Sequence, residues 1–172
     1  MCPYHLATRH GLCIRPCEDK ETGAPRLGVF TVAVENGTLC DRVVFREGAF
    51  VLPYEGETLT LDEKIRRYGE SKAPYCIGGP NSDEMGDYDC PFVDGALYRS
   101  TASLIHHTSV DEANCAYIYN DFEGTLEVRA VRDIYENEEL SCDYGDEYIY
   151  SGDSAGRFDT RRRTHPLPVW FK

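Results

Sequence analysis

Cysteines and histidines crowd the first seventeen residues, where their spacing could supply metal ligands. Two residues separate Cys2 from His5 and three separate Cys13 from Cys17, with His10 between the pairs. A structural zinc site is typically built from two such close pairs. Alternatively the thiols are buried and the histidines lie at the surface, as such residues usually do. Both interpretations stay open, and we assign no metal ligand.

Other kinds of chemistry find little support in the sequence. The phosphate-binding pattern GxxxxGK[ST] does not occur. Residues 81–89 are acidic but lack the bidentate glutamate of a calcium-binding loop, so a solvated loop is favoured. Cys115 and His107 could form a nucleophile pair, yet their spacing does not distinguish them, and structural roles are favoured.

The charge of the chain narrows its possible partners. Its 172 residues carry 30 acidic and 18 basic side chains, a formal net charge of −12. Such a field repels nucleic acid and attracts basic peptides.

No apolar run approaches the ~20 residues that cross a bilayer, and we see no signal peptide, so we expect no membrane association. The eight cysteines are then expected to be reduced, which suggests an intracellular protein.

Short strands dominate the local patterns, and one helix is clear. Apolar and β-branched stretches that end at turn residues predict strands. These are residues 27–34, 42–45, 49–54, 88–92, 116–120 and 125–131. Thr60 and Glu63 form a capping box, apolar residues recur at helical spacing from Leu61, and Gly69 suits a C-terminal cap. The patterns predict a compact, β-rich fold with one helix of about nine residues.

Four separated segments stand out in a fixed order. They are LGVF at residues 27–30, YEGE at 54–57, IHH at 105–107 with Asn114-Cys115, and EELSCDYG at 138–145. Together they resemble the SET domain, the family of protein lysine methyltransferases, whose motifs include YxGE, INH…PNC and EELTFDYG. Four ordered motifs are far more specific than any one of them.

The resemblance implies a fold, a cofactor and a substrate. The fold is β-rich and SET-domain-like, with several short-stranded sheets, few short helices and a threaded loop, or pseudoknot, at the active site. We expect residues 27–145 to be the catalytic domain, with an N-terminal flank at 1–26 and a C-terminal flank at 146–172. The implied cofactor is S-adenosyl-L-methionine. The implied substrate is a basic lysine-containing peptide or protein, with a histone tail as the family's commonest, so a nuclear location is expected more than a cytoplasmic one.

The same resemblance implies which residues bind and react. Tyr144 corresponds to the family's catalytic tyrosine. Tyr54 and Tyr117 fall where relatives have further channel tyrosines, and Cys142 also lines the channel. Cofactor contacts, largely through the backbone, are implied for Gly28, Val29, Phe30, His106, His107 and Asn114. Because the chain has twelve tyrosines, any one of them could instead be a packed core aromatic.

The sequence departs from the family pattern at several positions. Arg26 stands where a first glycine is common, His106 replaces the usual asparagine, Ala113 replaces a proline, and no cysteine follows Cys142. The missing cysteine cluster leaves Trp170 and Phe171 as candidates to cover the site. These departures keep two alternatives open: a non-catalytic SET-like module that binds basic peptides, and a methyltransferase of a non-histone protein.

Overall fold

Short strands are the main regular structure of the computed structural model, which describes residues 11–19, 22–32, 43–69, 73, 75–78, 92–120 and 122–144. The strands are β1 (Leu12–Glu18), β2 (Pro25–Thr31), β3 (Val43–Phe45), β4 (Phe50–Pro53), β5 (Glu57–Leu59), β6 (Cys76–Gly78), β7 (Phe92–Asp94), β8 (His106–His107), β9 (Cys115–Asn120), β10 (Thr125–Ala130), β11 (Ile134–Tyr135) and β12 (Ser141–Cys142). The α-helix α1 is Leu61–Tyr68, and Thr101–Leu104 forms a 3-10 turn.

A five-stranded sheet in the order β4-β10-β9-β12-β8 forms the centre of the fold. Strand β12 pairs in parallel with β8 on one side and with β9 on the other, so Cys142 lies between His107 and Cys115. The remaining pairs of this sheet are antiparallel. A late segment of the chain has therefore been inserted between two earlier ones, as a threaded loop requires.

Three smaller sheets surround the central one: β1-β2, β3-β11 and β5-β7-β6. Each buries one side against apolar residues that are almost fully buried, among them Val29, Ile105, Val128 and Leu140. The strands predicted at residues 27–34, 42–45 and 49–54 are present as β2, β3 and β4, with bounds that differ by a few residues. These three strands do not pair with one another: β2 pairs with β1, β3 with β11 and β4 with β10.

The helix α1 begins and ends as its sequence predicts. The Thr60 hydroxyl accepts a hydrogen bond from the Glu63 amide at 3.2 Å, and the Glu63 carboxylate accepts one from the Thr60 amide at 2.8 Å. Gly69 closes the helix with a φ of 67°, a conformation that favours glycine. Arg67 then ties the helix to Glu57 of β5 and Asp94 of β7, at 2.9 and 2.8 Å.

Strand β1 is not predicted by the sequence pattern, because Arg15 and Pro16 interrupt its apolar alternation. It nevertheless pairs with β2 along its whole length, from Leu12 to Glu18. A proline is tolerated in such a strand because, among the described residues, only β2 pairs with it. This strand lies within residues 1–26, which we assigned to a flank from the sequence, and the boundary between flank and domain stays a prediction.

Several sequence-based hypotheses concern residues that the structure does not describe. Outside the described ranges lie Cys2, His5, His10, the acidic stretch 81–89, Gly145, Trp170 and Phe171. Cys13 and Cys17 lie on β1. In the described part of the chain, no cluster of three or more histidine, cysteine or acidic residues is arranged to hold a metal ion. Across the same ranges, no helix is long and apolar enough to span a membrane.

Residues 135–144, which we call the threaded segment, are hydrogen-bonded to Thr31, whose side chain is fully buried. Its hydroxyl donates to the Tyr135 carbonyl at 2.5 Å and accepts from the Glu138 amide at 3.0 Å. The backbone of Thr31 also bonds this segment, because its amide donates to the Glu138 carbonyl at 2.9 Å. One residue thus fixes the turn that leads into β12.

Replacing Thr31 with valine keeps the shape and removes the hydroxyl. We expect the free energy of unfolding to fall by about 1–3 kcal/mol, because the Tyr135 carbonyl and the Glu138 amide each lose a hydrogen bond to the buried hydroxyl. Urea denaturation measures the change. The matched control is Thr58→Val on β5, where the side chain is exposed. That control should stay within about 0.5 kcal/mol, and equal losses in both variants would contradict the assigned role of Thr31.

Candidate active site

Three tyrosines from distant parts of the chain meet beside the threaded strand. Tyr54 follows β4, Tyr117 lies on β9, and Tyr144 follows β12. The ring centroids of Tyr54 and Tyr117 are 5.5 Å apart in an edge-to-face arrangement, and those of Tyr117 and Tyr144 are 6.0 Å apart. The structure therefore brings together all three tyrosines singled out from the sequence.

Each tyrosine hydroxyl donates a hydrogen bond to a backbone carbonyl. Tyr54 bonds the Tyr75 carbonyl at 2.6 Å, and Tyr117 bonds the Ala102 carbonyl at 3.2 Å. Tyr144 bonds the carbonyl of Ile105, the residue just before β8. Because their protons are engaged in this way, the phenolic oxygens are held in fixed positions.

The centre of the tyrosine cluster is shielded from water. Burial raises the pKa of Tyr117 well above its ordinary value, and the neighbouring Cys142 and Tyr144 act in the same direction. Burial likewise raises the pKa of the Cys142 thiol, which lies against Cys115. Both groups are therefore neutral near pH 7. The same desolvation disfavours any ammonium group that enters this space.

Asn114 connects the threaded strand to β9. Its side chain is almost fully buried. Its amide nitrogen donates to the Glu139 carbonyl at 2.8 Å, and its amide oxygen accepts from the Ser141 amide at 2.9 Å. A single side chain thus satisfies both a donor and an acceptor of the segment that carries Tyr144. The sequence implied a cofactor contact at Asn114, and these hydrogen bonds to the threaded segment leave that contact a prediction.

The side chain of His107 contacts Tyr144. Its Nδ1 atom accepts a hydrogen bond from the Tyr144 amide at 3.1 Å, and the two rings lie 5.2 Å apart. The backbone of β8 meanwhile pairs with β12. From the sequence we expected backbone contacts to the cofactor at His107, whereas this bond ties its side chain to the backbone of Tyr144. It does not test the predicted cofactor contact.

A second, charged cluster surrounds Gly28. A Cβ atom at this glycine would lie 2.6 Å from a carboxylate oxygen of Glu139, so no larger residue fits without a shift. The same oxygen is 2.5 Å from Nη1 of Arg26. Asp19 Oδ2 lies 4.0 Å from Arg26 Nε and 3.9 Å from His106 Nδ1. The predicted cofactor residues Gly28 and His106 therefore share neighbours with Arg26.

Burial lowers the pKa of His106, and the positive charge of Arg26 acts in the same direction. The carboxylates of Glu139 and Asp19 oppose this shift without overcoming it. His106 is therefore an uncharged imidazole at neutral pH, and its distance of 3.9 Å from Asp19 is not a salt bridge there. Glu139 and Asp19 were not singled out from the sequence, which pointed to this cluster through Arg26, Gly28 and His106.

Val29 and Phe30, two further predicted cofactor residues, make structural contacts. Val29 is fully buried, and its carbonyl accepts from the Leu140 amide at 2.8 Å. Phe30 lies beneath the guanidinium of Arg15, with 4.4 Å from the carbon of that group to the ring centroid. Strand β2 thus supports the threaded segment. The cofactor roles of Val29 and Phe30 stay predictions.

Comparison with known proteins gives this architecture its family. Residues 39–145 match the SET domain. The chain belongs to the SET-domain family. It is similar to the histone-lysine N-methyltransferase EZH2 of Chaetomium thermophilum, with 28% identity over 110 residues, which are 59% of this chain and 7% of that protein. The chain thus spans less than a tenth of that relative's length.

Solved structures of this family show the same fold. One is ctPRC2 in an autoinhibited conformation bound to S-adenosylmethionine, with a TM-score of 0.55 and 24% identity, covering 81% of this chain and 16% of that one. Another is polycomb repressive complex 2 of Chaetomium thermophilum, with a TM-score of 0.55 and 24% identity, covering 80% and 15%. The predicted β-rich SET-domain fold is confirmed.

The depressed pKa of His106 predicts a pH dependence of stability. As the pH falls, His106 of the unfolded chain takes up a proton near the ordinary pKa of 6.5. His106 of the folded chain takes it up only at a lower pH. The contribution of uncharged His106 to the free energy of unfolding is therefore fully present above pH 6.5. It is lost as the pH falls through the lower pKa of the folded state. His106→Asn, which restores the family's usual residue, removes this titration.

Urea denaturation of both proteins between about pH 7.5 and 5 measures the effect. We expect the free energy of unfolding to fall more steeply with acid in the parent than in His106→Asn. The neighbouring groups Arg26, Glu139, Asp19 and His107 are present in both proteins, so the difference between the two curves isolates His106. Parallel curves would show that its imidazole does not titrate as assigned.

Proposed function

We propose that this chain is an S-adenosylmethionine-dependent protein-lysine N-methyltransferase. The observation that carries the proposal is the meeting of Tyr54, Tyr117 and Tyr144 in a buried site on the threaded segment. The family membership supports the same reaction class. S-adenosylmethionine, the methyl donor of SET-domain enzymes, is the cofactor, and when bound it supplies a methyl group activated on a sulfonium.

The charged cluster around Gly28 has the chemistry to hold this cofactor. Two nitrogens of the Arg26 guanidinium, Nε and Nη2, are buried and have no hydrogen-bond partner among the described residues. Such donors suit a ligand that carries a carboxylate. Neutral His106 avoids adding a second positive charge beside a sulfonium. His107 and Asn114 complete the set by fixing the strand that separates this cluster from the tyrosines.

The tyrosine cluster serves the acceptor lysine. A free lysine has a pKa near ~10.4, so at neutral pH nearly all of it is protonated and unreactive. Burial between aromatic rings disfavours the ammonium form, so the lysine loses its proton to solvent water before the reaction. The fixed phenolic oxygens of Tyr54, Tyr117 and Tyr144 then accept N–H bonds from the amine and orient its lone pair. Orientation of this kind supplies about 7–11 kcal/mol in well-aligned systems.

The substrate is a basic peptide in extended form. The net charge of −12 favours it, and an exposed strand edge can bind it by backbone pairing. In the sheet ordered β5-β7-β6, strand β6 is an edge among the described residues. It begins directly after Tyr75, whose carbonyl holds the Tyr54 hydroxyl. The substrate class is a histone tail, as the name of the EZH2 relative suggests, which makes this a nuclear protein that acts on chromatin.

The test is transfer of a labelled methyl group from S-adenosylmethionine to core histones or to proteins of a cell lysate. We expect a labelled lysine, and we expect Tyr144→Phe to lower turnover by about a hundredfold or more, because one preorganised hydroxyl is lost. The folded state should survive, since the volume hardly changes. Tyr98→Phe is the matched control, because Tyr98 is 73% exposed.

Each outcome separates the proposal from an alternative. Label on a lysate protein but not on histones would assign a non-histone substrate. No label with any protein, together with no cofactor binding and retained binding of basic peptides, would identify a non-catalytic SET-like module. Loss of folding in Tyr144→Phe would show that this tyrosine is structural, whereas equal activity in the parent and in Tyr144→Phe would remove it from the reaction.

A further inference from the structure

The guanidinium of Arg26 is only partly satisfied. Its Nη1 atom donates to Glu139 at 2.5 Å. Its Nε and Nη2 atoms are buried and have no hydrogen-bond partner among the described residues. Asp19 is the acidic side chain on the Nε side, and its distance of 4.0 Å is too long for a hydrogen bond. Two nitrogens of one permanently charged group thus lack a hydrogen-bond partner in the described part of the chain.

These two atoms form one edge of the guanidinium. The N–H bonds of Nε and Nη2 point in the same direction, so together they make the fork that binds a carboxylate with two parallel bonds. A buried donor without a partner is costly. The edge therefore suits a carboxylate brought by a ligand, while Glu139 holds the opposite side of the arginine and fixes its orientation.

The position of this edge points to the cofactor. The same Asp19 oxygen that lies 4.0 Å from Arg26 Nε lies 3.9 Å from His106 Nδ1. Gly28 is packed against Glu139. The edge thus lies among residues implicated in cofactor binding on independent grounds. Arg26 also occupies a position where a glycine is common in the family, so this donor is a feature of this chain.

We propose that Arg26 binds the carboxylate of the methionine moiety of S-adenosylmethionine through Nε and Nη2. This inference rests on the proposed function. It predicts that the chain discriminates between cofactor analogues by their carboxylate. Glu139 is a positioning residue, because it acts on the ligand through the arginine.

Isothermal titration calorimetry with two ligands tests the inference without an activity assay. The ligands are S-adenosylhomocysteine and its decarboxylated analogue, which lacks only the carboxylate. We expect the parent chain to bind the first about tenfold or more tightly than the second, as loss of a charge-assisted pair of hydrogen bonds requires. Arg26→Met should weaken binding of S-adenosylhomocysteine by a similar factor and leave the analogue's affinity unchanged.

Arg15→Met is the matched control for loss of a nearby positive charge. Arg15 pairs with Gly28 across the β1-β2 ladder, and its guanidinium lies over Phe30. We expect this variant to keep the parent's preference for the carboxylate ligand. An equal loss of preference in Arg15→Met and Arg26→Met would mean that a general field, and not a paired contact, is responsible, which would overturn the inference.

The two proposals fail in different ways. If the parent chain binds both ligands equally, or if Arg26→Met weakens both equally, the role of Arg26 is wrong while cofactor binding stands. If the parent binds neither ligand at millimolar concentration, the proposed function itself is wrong. If Arg26→Met does not fold, the comparison of the two ligands on the parent chain decides by itself.

Discussion

The site depends on the insertion of β12 between β8 and β9. Two-residue strands contribute few hydrogen bonds, so this arrangement needs support from outside the sheet. Asn114 supplies it by pairing with both Glu139 and Ser141 while buried. The segment that passes through this point carries Glu139 towards the charged cluster and Tyr144 towards the tyrosine cluster. One polar side chain therefore sets the distance between the two halves of the site.

The two halves have opposite electrostatic character. On the tyrosine side, burial keeps Tyr117 and Cys142 neutral, which suits a lysine that must lose its proton. On the other side, Arg26 keeps its full charge and leaves two donors for an anionic group. A methyl donor with an amino-acid end meets both demands if it lies across β12, with its carboxylate at Arg26 and its methyl group at the tyrosine cluster. The acidic surface of the chain then acts at longer range, by attracting a basic substrate.

Local features of the fold were predictable because their causes are local. The capping box at Thr60 and the cap at Gly69 depend on residues a few positions apart, and both formed as expected. Strand pairing depends on distant residues, so the partners of β2 and β4 could not be read from their own patterns. The convergence of the tyrosines followed from the family resemblance alone. The role of Glu139 was missed because it arises from a contact with Arg26 across 113 positions of sequence. The role of Asp19 was missed because it depends on the distant His106 as well as on Arg26.

The most direct test of the central claim is hydrogen exchange, measured by mass spectrometry with and without S-adenosylhomocysteine. The account predicts added protection in three separated segments, residues 26–30, 105–108 and 138–144, because one ligand would bridge them across β12. The helix α1 and strand β5 should exchange as before. Protection limited to one of the three segments, or centred on α1 and β5, would contradict a single cofactor site built on the threaded strand.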